Sequence, residues 1–201
     1  MVALAAAIAL STHTAVLTAV GDIRLDGPIG QISARHGEQA PLKGVADLLK
    51  GDLLIGNLEC PITERGTKFP KTWNFRAKPK TLRILKRAGF DVVNLANNHV
   101  YDYGMDGLVD TLKHLKKVGI AIVGAGTNRA EAEAMRVYEL KGFRLGVLGF
   151  TSTNPKEAWA RKSRAGVAYS DFSRLSAVVA AAKAKVDVLA VSFHGGTELA
   201  T

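Results

Sequence analysis

The chain's strongest constraint is a rhythm of short apolar runs separated by stretches with helical spacing. "AVLTAVGD" (Ala15–Asp22) reads as a buried strand, "DLLIGNLE" as a second, "FDVVNLA" as a third and "IAIVGAG" as a fourth. "VDVLAVSF" closes the series just before the tail "HGGTELAT". Between them lie helix signals. "GVADLLKGD" predicts a short helix, and "PKTLRILKRAG" one with Pro79 at its start and Gly89 at its end. In "GMDGLVDTLKHLKKVG", Met105, Leu108, Leu112, Leu115 and Val118 share one helical face. "NRAEAEA" predicts a brief helix, and "DFSRLSAVVAAAKAK" another, capped by Asp171 or Ser170. "MRVYELKGFRLGVLGF" predicts a hairpin turning at Lys141–Gly142. Strands alternating with helices imply an α/β fold with a largely parallel sheet and helices on both faces.

In such sheets ligands gather outside the carboxyl ends of the strands, so the residues that end each strand carry the functional information. The first strand ends in Gly21–Asp22, the second in Gly56–Asn57–Leu58–Glu59. The third ends in Asn97–Asn98–His99, within "NLANNHVYDYG", and the last in His194–Gly195–Gly196. One such ending is ordinary turn chemistry. Four of them, two bearing histidine, resemble a set of metal ligands. Carboxylate, carboxamide and imidazole without thiolate suit Mn, Fe, Zn or Mg. Glu59, by its position, would bridge two ions about 3.5–4 Å apart, an arrangement that activates water for phosphoester hydrolysis. A histidine not committed to metal would then protonate the leaving oxygen.

Six segments together resemble a known family: "GDIRLDG", "DLLIGNLECPIT", "NFRAKP", "AGFDVVNLANNHVYDYGMDGLVDTL", "GIAIVGAG" and "VLAVSFHGG". They are similar to the CapA family of bacterial capsule synthesis proteins, the poly-gamma-glutamate type. That family is in turn similar in fold to the calcineurin-like metallophosphoesterases. The resemblance implies a layered α/β sandwich over residues 15–201 and a function in cell-envelope polymer synthesis. It also implies a hydrolase that uses a water activated by two divalent metal ions. Residue by residue, it implies metal ligands at Asp22, Glu59, Asn98 and His194 and a leaving-group acid at His99. Asp102 would orient His99. Asn57, expected to close the turn of "GNLE", and Asn97 are expected to shape the backbone. Two departures stand out. The first motif is Asp22–Ile23–Arg24 rather than the Asp-x-His usual in calcineurin-like enzymes, a His that the CapA-type family itself commonly lacks, and the later Gly-His-x-His segment of the family does not appear before Thr201. The second departure leads to the expectation of a C-terminally truncated domain.

The remaining features bound the partners. Lys and Arg number 27 against 18 Asp and Glu, for a formal charge of +9, which points to anionic partners without naming one; with the resemblance, these are expected to be an anionic polymer or a phosphoester. Nine of those cations lie between Arg65 and Arg87 with no acidic residue among them, around Trp73 and Phe75. No nucleic-acid module is recognisable, so nucleic acid is not an expected partner. A non-catalytic alternative arises from the same charge: a polyanion-binding component of a capsule synthesis or export complex. Residues 1–14, beginning "MVALAAAIAL", read as a leader segment, which points to the cell envelope or another extracytoplasmic site, with membrane association, and leaves the cytoplasm as the alternative. Cys60 is the one cysteine, so no internal disulfide forms, and it reads as a small buried residue.

Overall fold

The computed structural model describes residues 14–196, so nearly all of the leader reading lies outside the described residues. Strands β1 (Leu17–Ile23), β2 (Leu53–Leu58), β3 (Val92–Asn94) and β4 (Ala121–Val123) form a parallel sheet in that order. A second sheet has the order β6 (Arg136–Leu140), β7 (Phe143–Thr151), β9 (Val188–His194). Two-residue strands β5 (Ala125–Gly126) and β8 (Gly166–Val167) pair with each other. The α-helices are α1 (Gly27–His36), α2 (Leu82–Ala88), α3 (Gly104–Val118), α4 (Arg129–Ala132) and α5 (Phe172–Lys183).

Side-chain alternation along the strands explains the layers. Leu54 and Leu58 of β2 and Val93 of β3 pack with Leu82 and Leu85 of α2 and Leu108, Leu112 and Leu115 of α3. Their neighbours Leu53 and Val92, with Val123 of β4, face the other way onto Leu145 and Val147 of β7. On the far side of β7, Leu148 and Phe150 pack with Ala182, Leu175 and Val178 of α5. The order is therefore helices, sheet, sheet, helices. The expectation of one sheet flanked by helices on both faces is corrected: the first sheet has helices on one face and a second sheet on the other. The cause lies in β7, which is apolar on both faces and so requires cover on each. The β6–β7 turn folds back at Lys141 and Gly142, whose φ values of 49° and 88° suit a tight hairpin. β9 then joins β7 in parallel after α5.

Three further expectations change in detail. β1 is half exposed rather than buried, because among the described residues it pairs on one side only, with β2. "GVADLLKGD" forms a 3-10 turn, Ala46–Leu49, confined between Gly44 and Gly51. "IAIVGAG" is broken at Gly124, where φ is 79° and a Cβ would lie 2.2 Å from Asn94 Oδ1. Only glycine fits there. α2 and α3 both end in left-handed glycines, Gly89 and Gly119, as the periodicity requires.

Candidate metal centre

The parallel pairing β1–β2–β3 and β7–β9 brings four chain segments to the same edge. Asp22 stands near the end of β1, beyond a register irregularity between Ala19 and Asp22. Glu59 follows β2, its N–H donating to Ile23 O at 2.9 Å and so extending the pairing by one step. After β3 the chain turns on Asn97, whose side-chain oxygen accepts from the N–H groups of His99 (3.1 Å) and Val100 (3.0 Å). That turn projects Asn98 and His99. His194 ends β9 opposite Thr151 of β7.

The four expected ligands are together. Donor atoms of Asp22, Glu59 and His194 lie within 4.8 Å of one another. His194 Nε2 is 2.9 Å from Asn98 Oδ1 and 3.6 Å from Glu59 Oε1, and Nδ1 is 3.8 Å from Asp22 Oδ1. A cleft of about 430 Å³ is lined by these four, with Arg24, Phe75, His99, Thr153, Gly195 and Gly196. A larger cavity, about 730 Å³, lies between the 36–49 segment and α2. Its one carboxylate, Glu38, is already paired with Arg83 and Arg87.

Behind the cleft sits a row of buried amides. Asn57 Oδ1 accepts from Asn97 Nδ2 (3.0 Å) and Asn94 Nδ2 (3.3 Å). Its own Nδ2 therefore points forward, donating to Asp22 Oδ1 at 2.7 Å and facing His194 Nδ1 at 3.2 Å. A donor opposite Nδ1 gives the neutral ring its proton on Nε2, toward Asn98 Oδ1. Asn57 was expected to close a turn. Its side chain instead aligns two of the candidate ligands, because residue 57 faces the inter-sheet space like Leu53 and Ile55 before it. Asn97 also bonds Leu58 O at 2.9 Å, tying the third strand end to the second.

His99 and Asp102 meet as the resemblance implies, Nδ1 to Oδ2 at 2.7 Å. Asp102 is fully buried and accepts from Phe75 N at 2.6 Å. Lys71 Nζ approaches Asp102 Oδ1 to 2.5 Å, an ion pair without hydrogen-bond alignment, and donates to Asn98 O at 2.7 Å. Phe75 stacks on His99 with ring centroids 3.8 Å apart, and the Arg24 guanidinium covers the other side of Phe75 at 3.5 Å. Sequence reasoning missed Lys71. It sits in an aperiodic loop, and only the buried partner that fixes it, Asp102, carried a signal.

The electrostatics fit a cation. Burial, then the neighbouring Asp22 carboxylate, push Glu59 above the usual carboxylate range. Burial holds the His194 imidazole below its ordinary value and hence neutral near pH 7. Two carboxylates, one amide oxygen and one neutral imidazole form a hard-to-borderline donor set suited to a divalent ion. Cys60 lies behind, its thiol pushed up to about 12 by burial and its sulfur accepting from Leu25 N at 3.4 Å; it is not a ligand.

A layered α/β protein with a carboxylate–amide–imidazole cluster at converging strand ends is thus the class defined by fold and site. The family model described as bacterial capsule synthesis protein PGA_cap matches residues 16–201, and the chain belongs to that family. It is 32% identical over 191 residues to the capsule biosynthesis protein CapA of Bacillus anthracis, across 90% of this chain and 46% of that one. It is 30% identical over 183 residues to the PGA biosynthesis protein CapA of Bacillus subtilis (strain 168), across 89% and 48% respectively. A probable polyglutamine synthesis accessory protein of Mycobacterium tuberculosis is 33% identical over 158 residues, across 73% and 42%. The chain spans about half the length of the curated relatives it matches. Among the described residues no helix is long and apolar enough to cross a membrane.

Proposed function

We propose that the chain is a divalent-metal-dependent hydrolase of the metallophosphoesterase-like type, acting on a phosphoester or related bond in capsule or poly-gamma-glutamate synthesis at the cell envelope. One observation carries this reading: Asp22, Glu59, Asn98 and His194, from four separate strand ends, meet around one cleft that also holds His99. Asp22, Glu59, Asn98 and His194 would hold Mn, Fe, Zn or Mg ions. When bound, such ions supply Lewis acidity to polarise the substrate and activate water. The protein's own groups supply the rest. Asn57 fixes the Asp22 carboxylate and the His194 ring, and Phe75 fixes the plane of His99. Bonded through Nδ1 to Asp102, His99 keeps Nε2 for proton delivery to the leaving oxygen.

The test is hydrolysis of an aryl phosphate or aryl phosphodiester by the Mn-supplemented chain. Activity should fall at least a hundredfold in His99→Ala, Asp22→Ala and Glu59→Ala, within the roughly 10²–10⁴-fold range for a lost proton-transfer group. Equal activity in wild type and all three variants would refute the assignment.

A second reading, polyanion binding without catalysis, is favoured by a separate observation. Arg76, Lys78 and Lys80 line a depression of about 320 Å³ beside the start of α1; the one carboxylate in its lining, Asp26, is already paired with Arg24. Salt-sensitive binding of polyglutamate by metal-free protein, lost when these three are neutralised, would support it.

A further inference from the structure

Arg24 occupies a position at the cleft that invites a specific role. Its guanidinium donates through Nε to Asp26 Oδ1 and through Nη2 to Asp26 Oδ2, both at 3.1 Å. The Phe75 ring supports its face at 3.5 Å, and Phe75 in turn rests on His99. The group's freedom is thereby removed in three ways: the fork is chelated, one face is stacked, and the stack is anchored to the turn that carries Asn98. Nη1 makes no hydrogen bond among the described residues. The side chain remains 45% exposed, whereas Asp26 is only 12% exposed. Arg24 also lines the same cleft as Asp22, Glu59, Asn98, His99 and His194.

We infer that Arg24 is a substrate-binding residue whose Nη1 donates to a non-bridging oxygen of a phosphoryl group seated in the cleft. The inference rests on the metal-centre reading above and adds what that reading lacks, a fixed donor for the substrate's own negative charge. Two features distinguish it from a surface ion pair. An exposed Arg–carboxylate pair leaves the guanidinium mobile, whereas here the aromatic ring fixes its plane. The pairing with Asp26 also uses the edge of the fork directed away from Nη1, so an incoming anion does not compete for those donors. Lysine does not reproduce the arrangement, since a single ammonium cannot chelate Asp26, stack on Phe75 and reach an anion together.

The experiment compares wild type, Arg24→Gln and Arg24→Lys on the full 201-residue chain. Mn uptake is measured first by electron paramagnetic resonance. Inorganic phosphate, and glutarate as a carboxylate control at matched ionic strength, are then titrated calorimetrically into the Mn-loaded proteins. Arg24→Gln should keep its Mn affinity and bind phosphate roughly ten- to a hundredfold more weakly, the range for a lost hydrogen bond to a charged group. Arg24→Lys should recover less than half of that loss on a logarithmic scale, and it carries the test if the glutamine variant does not fold. Unchanged phosphate affinity in a Mn-loaded Arg24 variant, or no phosphate binding by Mn-loaded wild type, overturns the Arg24 assignment alone. A loss confined to glutarate overturns the phosphoryl assignment. Failure of wild type to take up Mn overturns the metal centre, and this inference with it.

Discussion

The ring of Phe75 lies on the imidazole of His99, centroids 3.8 Å apart and planes 17° from parallel. One residue comes from an aperiodic basic loop and the other from the turn after β3, so the contact joins two parts of the chain that share no regular structure. Such stacks contribute about 0.5–1.5 kcal/mol beyond area burial. Phe75→Leu keeps the apolar character and loses the stack. It should lower turnover several-fold while shifting stability by no more than about 1.5 kcal/mol, as read from parallel kinetics and urea melts.

Asp102 holds that loop and the His99 turn together, hydrogen-bonded to His99 Nδ1 and Phe75 N and ion-paired with the Lys71 ammonium from a fully buried position. Removing one member of a buried charged set leaves the others uncompensated. Asp102→Ala should therefore cost about 3 kcal/mol of stability. Limited proteolysis should show earlier cleavage between residues 64 and 76. Wild-type-like melting of the variant would contradict this account.

A cation that binds only the folded chain stabilises it by mass action. At a hundred times Kd, Mn should add about 2.7 kcal/mol to the unfolding free energy. His194→Ala and Glu59→Gln should abolish most of that gain in a thermal melt. Because burial raises Glu59 above the ordinary carboxylate range, protons compete for it earlier than usual. Mn affinity should accordingly begin to fall, as pH is lowered, before ordinary glutamates titrate.

The Arg65 guanidinium, hydrogen-bonded to Asp110 at 2.6 and 3.0 Å, holds that carboxyl below the usual range, with Thr63 assisting at 2.7 Å. A carboxyl depressed in the folded state stabilises it fully above the ordinary value. That contribution fades as pH falls through the ordinary value toward the folded one. Denaturant melts of wild type and Asp110→Asn should differ at pH 7 and converge as the pH is lowered past that window. A gap that stays constant would sink the assignment.

Much of the site was legible because chemistry concentrates at strand ends in this class of fold, and short apolar runs make those ends visible. Asp22, Glu59, Asn98 and His194 each stand at or just past the close of an apolar run, where the sequence alone exposes them; their convergence is a matter of strand order. Asn57 was underrated because its role depends on the face it occupies, and the strand pattern alone does not show that this face meets a second sheet bearing His194. The second sheet itself was hidden because the hairpin reading of "MRVYELKGFRLGVLGF" does not say which sheet its apolar arm, β7, joins. An apolar run such as "LGVLGF" does not say which layer it joins. Lys71 was invisible for a different reason: a lysine in a loop of many cations gains meaning only from the acid it meets.

The three amides behind the cleft, Asn57, Asn94 and Asn97, carry no charge at any pH the fold survives, and each is tied to its neighbours. They form a backstop that neither acid nor salt dissolves. Titrating the cleft's carboxylates should therefore leave the seat undeformed, so that acid-treated protein, once neutralised, should take up added Mn with no lag for refolding.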